Sequence, residues 1–197
     1  VLASEQAGPP QAIEKLSLLG IRTVIVPDTP SIASLDARIR AAAQALGRAA
    51  AGEQLVADIH RELEQAIALP GKPLRAVVIL NRAGAIQGAG RHTAANAIME
   101  MAGLVNVLAE VQKGYKPLSR EGLAALAPEL VLVTHSSLQA SGDIDRLRTV
   151  LGLPAANSAQ PRRVVIVDDL LILGVGPRLP QMPVSYTHLR AHETRED

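Results

Sequence analysis

The sequence predicts an α/β protein of two lobes joined by a long helical region, with the first lobe incomplete. Three observations lead there. First, the order strand, polar loop, helix, strand occurs near both ends, with Arg22-Thr23-Val24-Ile25-Val26 echoed by Arg163-Val164-Val165-Ile166-Val167. Second, residues 34–69 between these units hold no proline and are dense in the strong helix formers Ala, Leu, Arg and Glu. Third, the 48% of the chain that is apolar contains no Phe or Trp and only Tyr115 and Tyr186. A core of branched aliphatics suits parallel β/α layers.

Each element follows in order. Residues 1–3 read as the end of a strand. Residues 4–10 form a loop closing on Gly8-Pro9-Pro10, which starts a helix over 11–19 with Ile13, Leu16 and Leu19 on one face. Gly20 stops it, and a β-branched strand covers 21–26. Strand, helix, strand makes one right-handed βαβ unit, too little for a stable sheet by itself.

The helical stretch is bounded by Pro30 and by Pro70-Gly71. Ser34 is the expected N-cap, with Asp36 in the first turn, where negative charge suits the helix dipole. Leu35, Ile39, Ala43 and Leu46 form one apolar stripe, and Leu55, Ile59, Leu63 and Ile67 form another. The nine residues from Leu46 to Leu55 put the second stripe on the opposite side at roughly 100° per residue. Two helices are therefore expected, or one bent between Gly47 and Gly52, each half packing against something different. The second half is the expected strut between lobes.

Beyond it, 74–80 is a strand that is apolar except for Arg75, and 81–92 a Gly-rich loop with room for a short strand at Ala85-Ile86. Thr93 caps a helix to residue 102. Residues 114–118 form a second loop, and Ser119 opens a helix through 126. A strand over 129–133 leads to a loop at 134–142, a helix over 143–151 and a last strand over 163–167. Expected boundaries are 1–33 for the first-lobe remnant, 34–70 for the helical region and 71–183 for the second lobe. Residues 184–197 are polar, lack a period and read as a non-native tail. His188 and His192 in it are spaced like two ligands on one helix face, without a third.

Composition excludes several classes. Without cysteine there is no disulfide, thiolate metal site or Cys nucleophile. A net charge of +1 and the scarcity of aromatics argue against a nucleic-acid partner. No apolar run is long enough to span a bilayer.

In open α/β sheets, ligands sit outside the carboxyl ends of the strands. That places the loops 4–10 (with Glu5 and Gln6), 81–92 and 134–138 along one cleft between the lobes. Arg91 and His92 follow glycines at a helix N-terminus, where N–H groups and a cation suit an anionic group. His92 is alternatively an iron ligand, or the segment is a surface loop with a Thr cap. Gly88-Ala89-Gly90-Arg91-His92-Thr93 half-matches a dinucleotide fingerprint but lacks its third glycine and acidic partner, leaving an α/β nucleotide-binding enzyme as the alternative from another class. His135 with Ser136 sits at a strand end. It is either a ligand to metal or carboxylate or a hydrogen-bonded loop histidine. His135, Ser136 or Ser137 and Asp143 do not make a hydrolase, because no nucleophile elbow is present. His60, among charged neighbours, reads as part of a solvated face.

Five segments carry a resemblance. They are residues 1–10, Ala89-Gly90-Arg91-His92-Thr93-Ala94-Ala95-Asn96-Ala97, Gly114-Tyr115-Lys116-Pro117-Leu118-Ser119, Pro128-Glu129-Leu130-Val131-Leu132-Val133 and Leu173-Gly174-Val175-Gly176-Pro177-Arg178. In order and spacing they resemble the haem-binding periplasmic substrate-binding proteins of bacterial haem ABC importers, over residues 1 to about 181. The resemblance implies a two-lobed periplasmic binding protein fold. It implies no catalysis, haem as transported ligand, a permease as partner, a monomer, and a periplasmic or lipid-anchored location. It places Tyr115 against the ligand, Glu121 on the permease and Arg178 near the cleft. The family's axial tyrosine would precede Val1, so this chain is expected to lack it, together with any leader. Siderophore and cobalamin carriers share the implied fold.

Overall fold

The computed structural model describes residues 1–67, 73–82, 84–154 and 163–181. The expected tail, with His188 and His192, and the Pro70-Gly71 boundary lie outside the described residues. The first unit is β1 (Leu2–Ser4), α1 (Pro10–Leu18) and β2 (Val24–Val26). β1 and β2 pair in parallel with Ala3 opposite Ile25, the predicted βαβ connection. The helix starts at proline, whose missing N–H costs nothing there.

The helical stretch is two helices, α2 (Ile32–Ala45) and α3 (Ala49–Ile67), divided at Gly47, whose φ of 66° suits glycine. Three details differ from expectation. Ser31, not Ser34, caps α2, its hydroxyl accepting from Ser34 N at 3.2 Å. The buried stripe of α3 is Val56, Ile59 and Leu63, while Leu55 is exposed. The two helices do not pack against separate things. Leu35 and Ile39 of α2 share one core with the α3 stripe, and that core continues into the main sheet. The opposed stripes reflect a chain reversal: in a helical hairpin, opposite phases turn both faces toward the same core.

Gly52 makes the hairpin tight, since a Cβ there would lie 2.5 Å from the Ala43 Cβ. Arg40 and Glu53 form a salt bridge at 2.9 Å across it. His60 is not merely solvated, because its Nε2 lies 2.9 Å from Asp36 Oδ2 on α2. That partner is 24 positions away, beyond the reach of a local charge pattern. Arg38 donates to the Val175 carbonyl, tying α2 to the segment that follows the last helix of the chain described.

The chain continues with β3 (Arg75–Arg82), β4 (Ala85–Ala89), α4 (Ala94–Met101), β5 (Val105–Asn106) and β6 (Tyr115–Pro117). Then come α5 (Arg120–Leu126), β7 (Leu130–Thr134), α6 (His135–Ser141), α7 (Ile144–Leu151), β8 (Arg163–Val167) and α8 (Asp169–Leu173). The sheet runs β6-β4-β3-β7-β8, with β5 also on β3. β3, β7 and β8 are parallel, and β4 and β6 are antiparallel additions. Alternate residues of β3 and β7 feed two cores. Ala76, Val78, Leu80, Leu130 and Leu132 face the α2–α3 hairpin and α4, while Val77, Ile79, Val131 and Val133 face α5 and α7. This two-sided burial is why both strands read as unbroken apolar runs.

Three loop expectations are corrected. The Gly-rich 81–92 stretch is mostly a β-hairpin. Its glycines serve close approach, for a Cβ on Gly88 would lie 2.3 Å from Leu108 and one on Gly90 2.3 Å from the Gln112 carbonyl oxygen. The 114–118 segment contains β6, paired to β4 with Tyr115 opposite Ala89. The 134–142 segment is helix α6, because Thr134 caps it by accepting from Ser137 N at 3.2 Å.

Candidate functional site

The parallel strands end together, and two groups of side chains collect at those ends. At the first, β7 passes directly into α6 and β8 into α8. His135 begins α6, and its Nδ1 lies 3.1 Å from the Val167 carbonyl at the end of β8. Ser136 gives both its N–H (3.1 Å) and its hydroxyl to the Asp169 carboxylate in the first turn of α8. Asp168 caps α8 by accepting from Leu171 N at 3.0 Å, and Arg178 donates to the same carboxylate at 3.1 Å. His135, Ser136 and Arg178 are therefore brought to one place by the parallel pairing of β7 and β8, with Asp168 and Asp169 binding them together.

Partial burial would raise the Asp169 carboxyl. The Ser136 hydroxyl and N–H, the Thr134 hydroxyl and the positive character of His135 outweigh it and hold Asp169 below its ordinary value.

The second group surrounds the start of α4. Thr93 caps that helix, accepting from Asn96 N at 3.1 Å. Before it, Gly90 N bonds to the Gly114 carbonyl at 3.0 Å and Arg91 N to the Gln112 carbonyl at 3.1 Å. These bonds leave the Arg91 and His92 side chains exposed, with His92 at φ 62°. Tyr115 is half-buried on β6. Burial pushes its phenol above the ordinary value, opposed by the Ala95 N–H, the Thr93 side chain and the charge of Arg82. Arg82, exposed at the end of β3, thus belongs to this group.

Glu5 and Gln6 lie at the carboxyl end of β1. Glu5 N bonds to the Val26 carbonyl at 3.1 Å and the Gln6 amide to Asp28 at 3.3 Å, and both residues are exposed. Among the described residues their hydrogen bonds stay within the first unit and reach neither group of the second lobe. Glu121 is exposed in the first turn of α5, where Ser119 accepts from Gly122 N at 3.0 Å.

Arg82, Asp168 and Asp169 were missed from the sequence. The adjacent acids closing an apolar strand were the available signal for the last two, whereas nothing local marks Arg82. No group of three or more His, Asp or Glu that could hold a bare metal ion occurs among the described residues. Chemically, the start of α4 offers exposed Arg91, helix N–H groups and a phenol, while the β7–β8 ends set an imidazole, a hydroxyl and Arg178 beside the carboxylates of Asp168 and Asp169. The arrangement suits binding of a partly anionic ligand.

A family model described as periplasmic binding protein matches residues 1–169. Among solved structures, the chain is similar to the periplasmic haem-binding protein RhuT from Roseiflexus sp. RS-1 in apo form. Identity is 32% over 95% of this chain and 75% of that one, with a TM-score of 0.81. The periplasmic haem-binding protein BhuT in complex with two haems is 36% identical over 96% of this chain and 73% of that one, with a TM-score of 0.81. The periplasmic haem-binding protein HutB of Vibrio cholerae, at 24% identity, TM-score 0.81 and coverage of 96% and 75%, shares the fold. No curated protein matched in the sequence comparison. The family and these relatives are binding proteins, and the chain spans about three quarters of the relatives' length. With strand ends built for binding and these matches along nearly all its length, the chain belongs to the periplasmic binding protein family.

Proposed function

We propose that this protein is the haem-binding component of a bacterial haem ABC import system, located in the periplasm. The observation that carries the reading is its 36% identity, across 96% of its length, to a protein holding two haems. Haem is a flat apolar ring with two carboxylates and an iron. The strand-end groups match that chemistry. Arg91, Arg82 and the N-terminus of α4 suit a carboxylate, the Tyr115 ring suits a macrocycle face, and His135 offers a nitrogen. Ser136 and Arg178 hold the His135 side of the site in place through Asp169 and Asp168.

Residues 1–33 act as part of one lobe and 71–183 as the other, with 34–70 between them, and Glu5 and Gln6 approach the ligand from the first. Exposed Glu121 docks on the permease, where a charge steers and orients association. The protein acts as a monomer and hands its ligand on chemically unchanged. The test is a titration with hemin followed in the visible region. A saturable shift of the Soret band away from that of free hemin is expected, and a spectrum that stays that of free hemin overturns the reading.

A further inference from the structure

We propose that the buried Ser137 is a positioning residue that couples the turn carrying Arg82 to the Ser136–Asp169 group, so that the two hold one ligand as a single unit. The inference rests on the haem-carrier reading and on the binding roles given there to Arg82 and Ser136. Ser137 stands where the parallel ladder runs out. β3 and β7 last pair at Ile79 and Val133, after which β7 passes into α6 at His135. The Asn81 N–H, two residues further along β3, has no strand on that side to bond, and a buried N–H must find an acceptor. The Ser137 hydroxyl replaces the strand and accepts it at 2.9 Å. The Asn81 side chain extends the contact both ways. Its Nδ2 donates to Ser141 Oγ at 2.7 Å, and its Oδ1 accepts from Gly84 N at 3.0 Å, which fixes the turn on which Arg82 stands.

From Ser137 toward the other group, the hydroxyl protons can be assigned one by one. The Asp169 carboxylate only accepts, so Ser136 gives its proton there. Thr134 Oγ1, 3.1 Å from Ser136 Oγ, is then the donor of that pair. Ser137 Oγ, 2.7 Å from Thr134 Oγ1, is in turn the donor to Thr134. One chain results, running from the Asn81 N–H through Ser137, Thr134 and Ser136 to Asp169, with every bond pointing the same way and a negative charge at its end.

Hydrogen bonds aligned in this way polarise one another, and a buried network of this kind is strong only while every member is satisfied. Asn81, Thr134 and Ser137 are 7%, 0% and 1% exposed, so water does not replace a lost link. The chain crosses from β3 through α6 to α8 and reaches both strand-end groups. A ligand that pulls on Arg82 therefore acts on Ser136 and Asp169 as well. Ser137 is the link on which this depends, because it alone bonds both Asn81 and Thr134.

The test is a double-mutant cycle on hemin affinity, with far-UV circular dichroism and urea midpoints as folding controls. Arg82→Ala, Ser136→Ala and the double variant are measured with Ser137 intact and again with Ser137→Ala. With Ser137 intact, each single variant should bind hemin more weakly, and the double variant should depart from the product of the two losses by at least about threefold. With Ser137→Ala the losses should multiply to within about twofold. Should Ser137→Ala fail to fold, Thr134→Val cuts the next link and is expected to give the same result, while Thr134→Ser keeps the hydroxyl and the coupling. A merely structural Ser137 would lower the urea midpoint and leave the coupling in place. Coupling that survives loss of the link therefore overturns the proposal. So do losses that multiply with Ser137 intact, or single variants that bind hemin as the wild type does. Wild type that binds no hemin instead overturns the carrier reading, and this inference falls with it.

Discussion

The β1–α1–β2 unit and the β7–α6–α7–β8 unit share a chain order and a parallel strand pairing, with Leu2 opposite Val24 in one and Leu132 opposite Val165 in the other. Their surroundings are unlike. Every residue of β7 is buried, for it lies between β3 and β8 with a core on each face. α1 buries no residue; its last residue, Leu18, is 85% exposed and the C-cap Leu19 74%. The difference teaches that a βαβ order specifies a connection and not a core. Two strands and one helix bury too little apolar surface to be stable alone. Nearly all the buried apolar side chains lie in and around the six-stranded sheet and in the α2–α3 hairpin that shares its core.

The largest expected contrast comes from truncating one leucine in each unit. Leu132→Ala empties a fully buried position and should cost about 2–5 kcal/mol in urea unfolding. Leu18→Ala, on the exposed helix, should change stability by no more than about 0.5 kcal/mol. Equal losses would break the comparison. A second substitution asks where the hairpin belongs. Gly52→Ala forces a Cβ to within 2.5 Å of the Ala43 Cβ, and overpacking of this kind costs about 1–3 kcal/mol. If α2 and α3 share the main core, that loss appears in the same cooperative transition as the loss from Leu132→Ala. A separate early transition would assign the hairpin to the weaker unit.

Much of this was legible because it is local. Thr93 and Ser119 announced the helices they cap, the segment from Asp143 announced another, and the strands expected over 74–80 and 129–133 are the buried β3 and β7 within a residue or two. The errors share a cause. Gly88 and Gly90 read as loop residues, whereas each is glycine because Leu108 or Gln112 approaches from twenty or more positions away. The segment 134–142 read as a loop, yet Thr134 caps a helix there and Ser137 and Ser141 bond to Asn81 on β3 at 2.9 and 2.7 Å. Of the site, Arg91, His92, Tyr115, His135, Ser136 and Arg178 were legible as residue types in suggestive places. The bonds that organise them, Ser136 to Asp169 and Arg178 to Asp168, follow from strand pairing and have no local signature.

A smaller effect sharpens the comparison at the site itself. Ser136→Ala removes one of two bonds to Asp169 and should cost about 1 kcal/mol at neutral pH. Because the folded environment lowers the Asp169 pKa, its contribution is complete above the ordinary carboxyl value near 4. It is lost as pH falls through the lower folded value. The stability gap between wild type and Asp169→Asn should therefore stay constant from pH 6 to 8 and close as pH falls below about 4. A gap that widened in acid would contradict the cause assigned to the shift.

The cargo proposed for this fold is haem rather than a siderophore or a cobalamin. Isothermal titration of one preparation with hemin, a ferric siderophore and cyanocobalamin tests it most directly. Saturable binding of hemin, with no heat of binding from the other two, is the predicted result. Binding of the siderophore or cobalamin with none of hemin would contradict it.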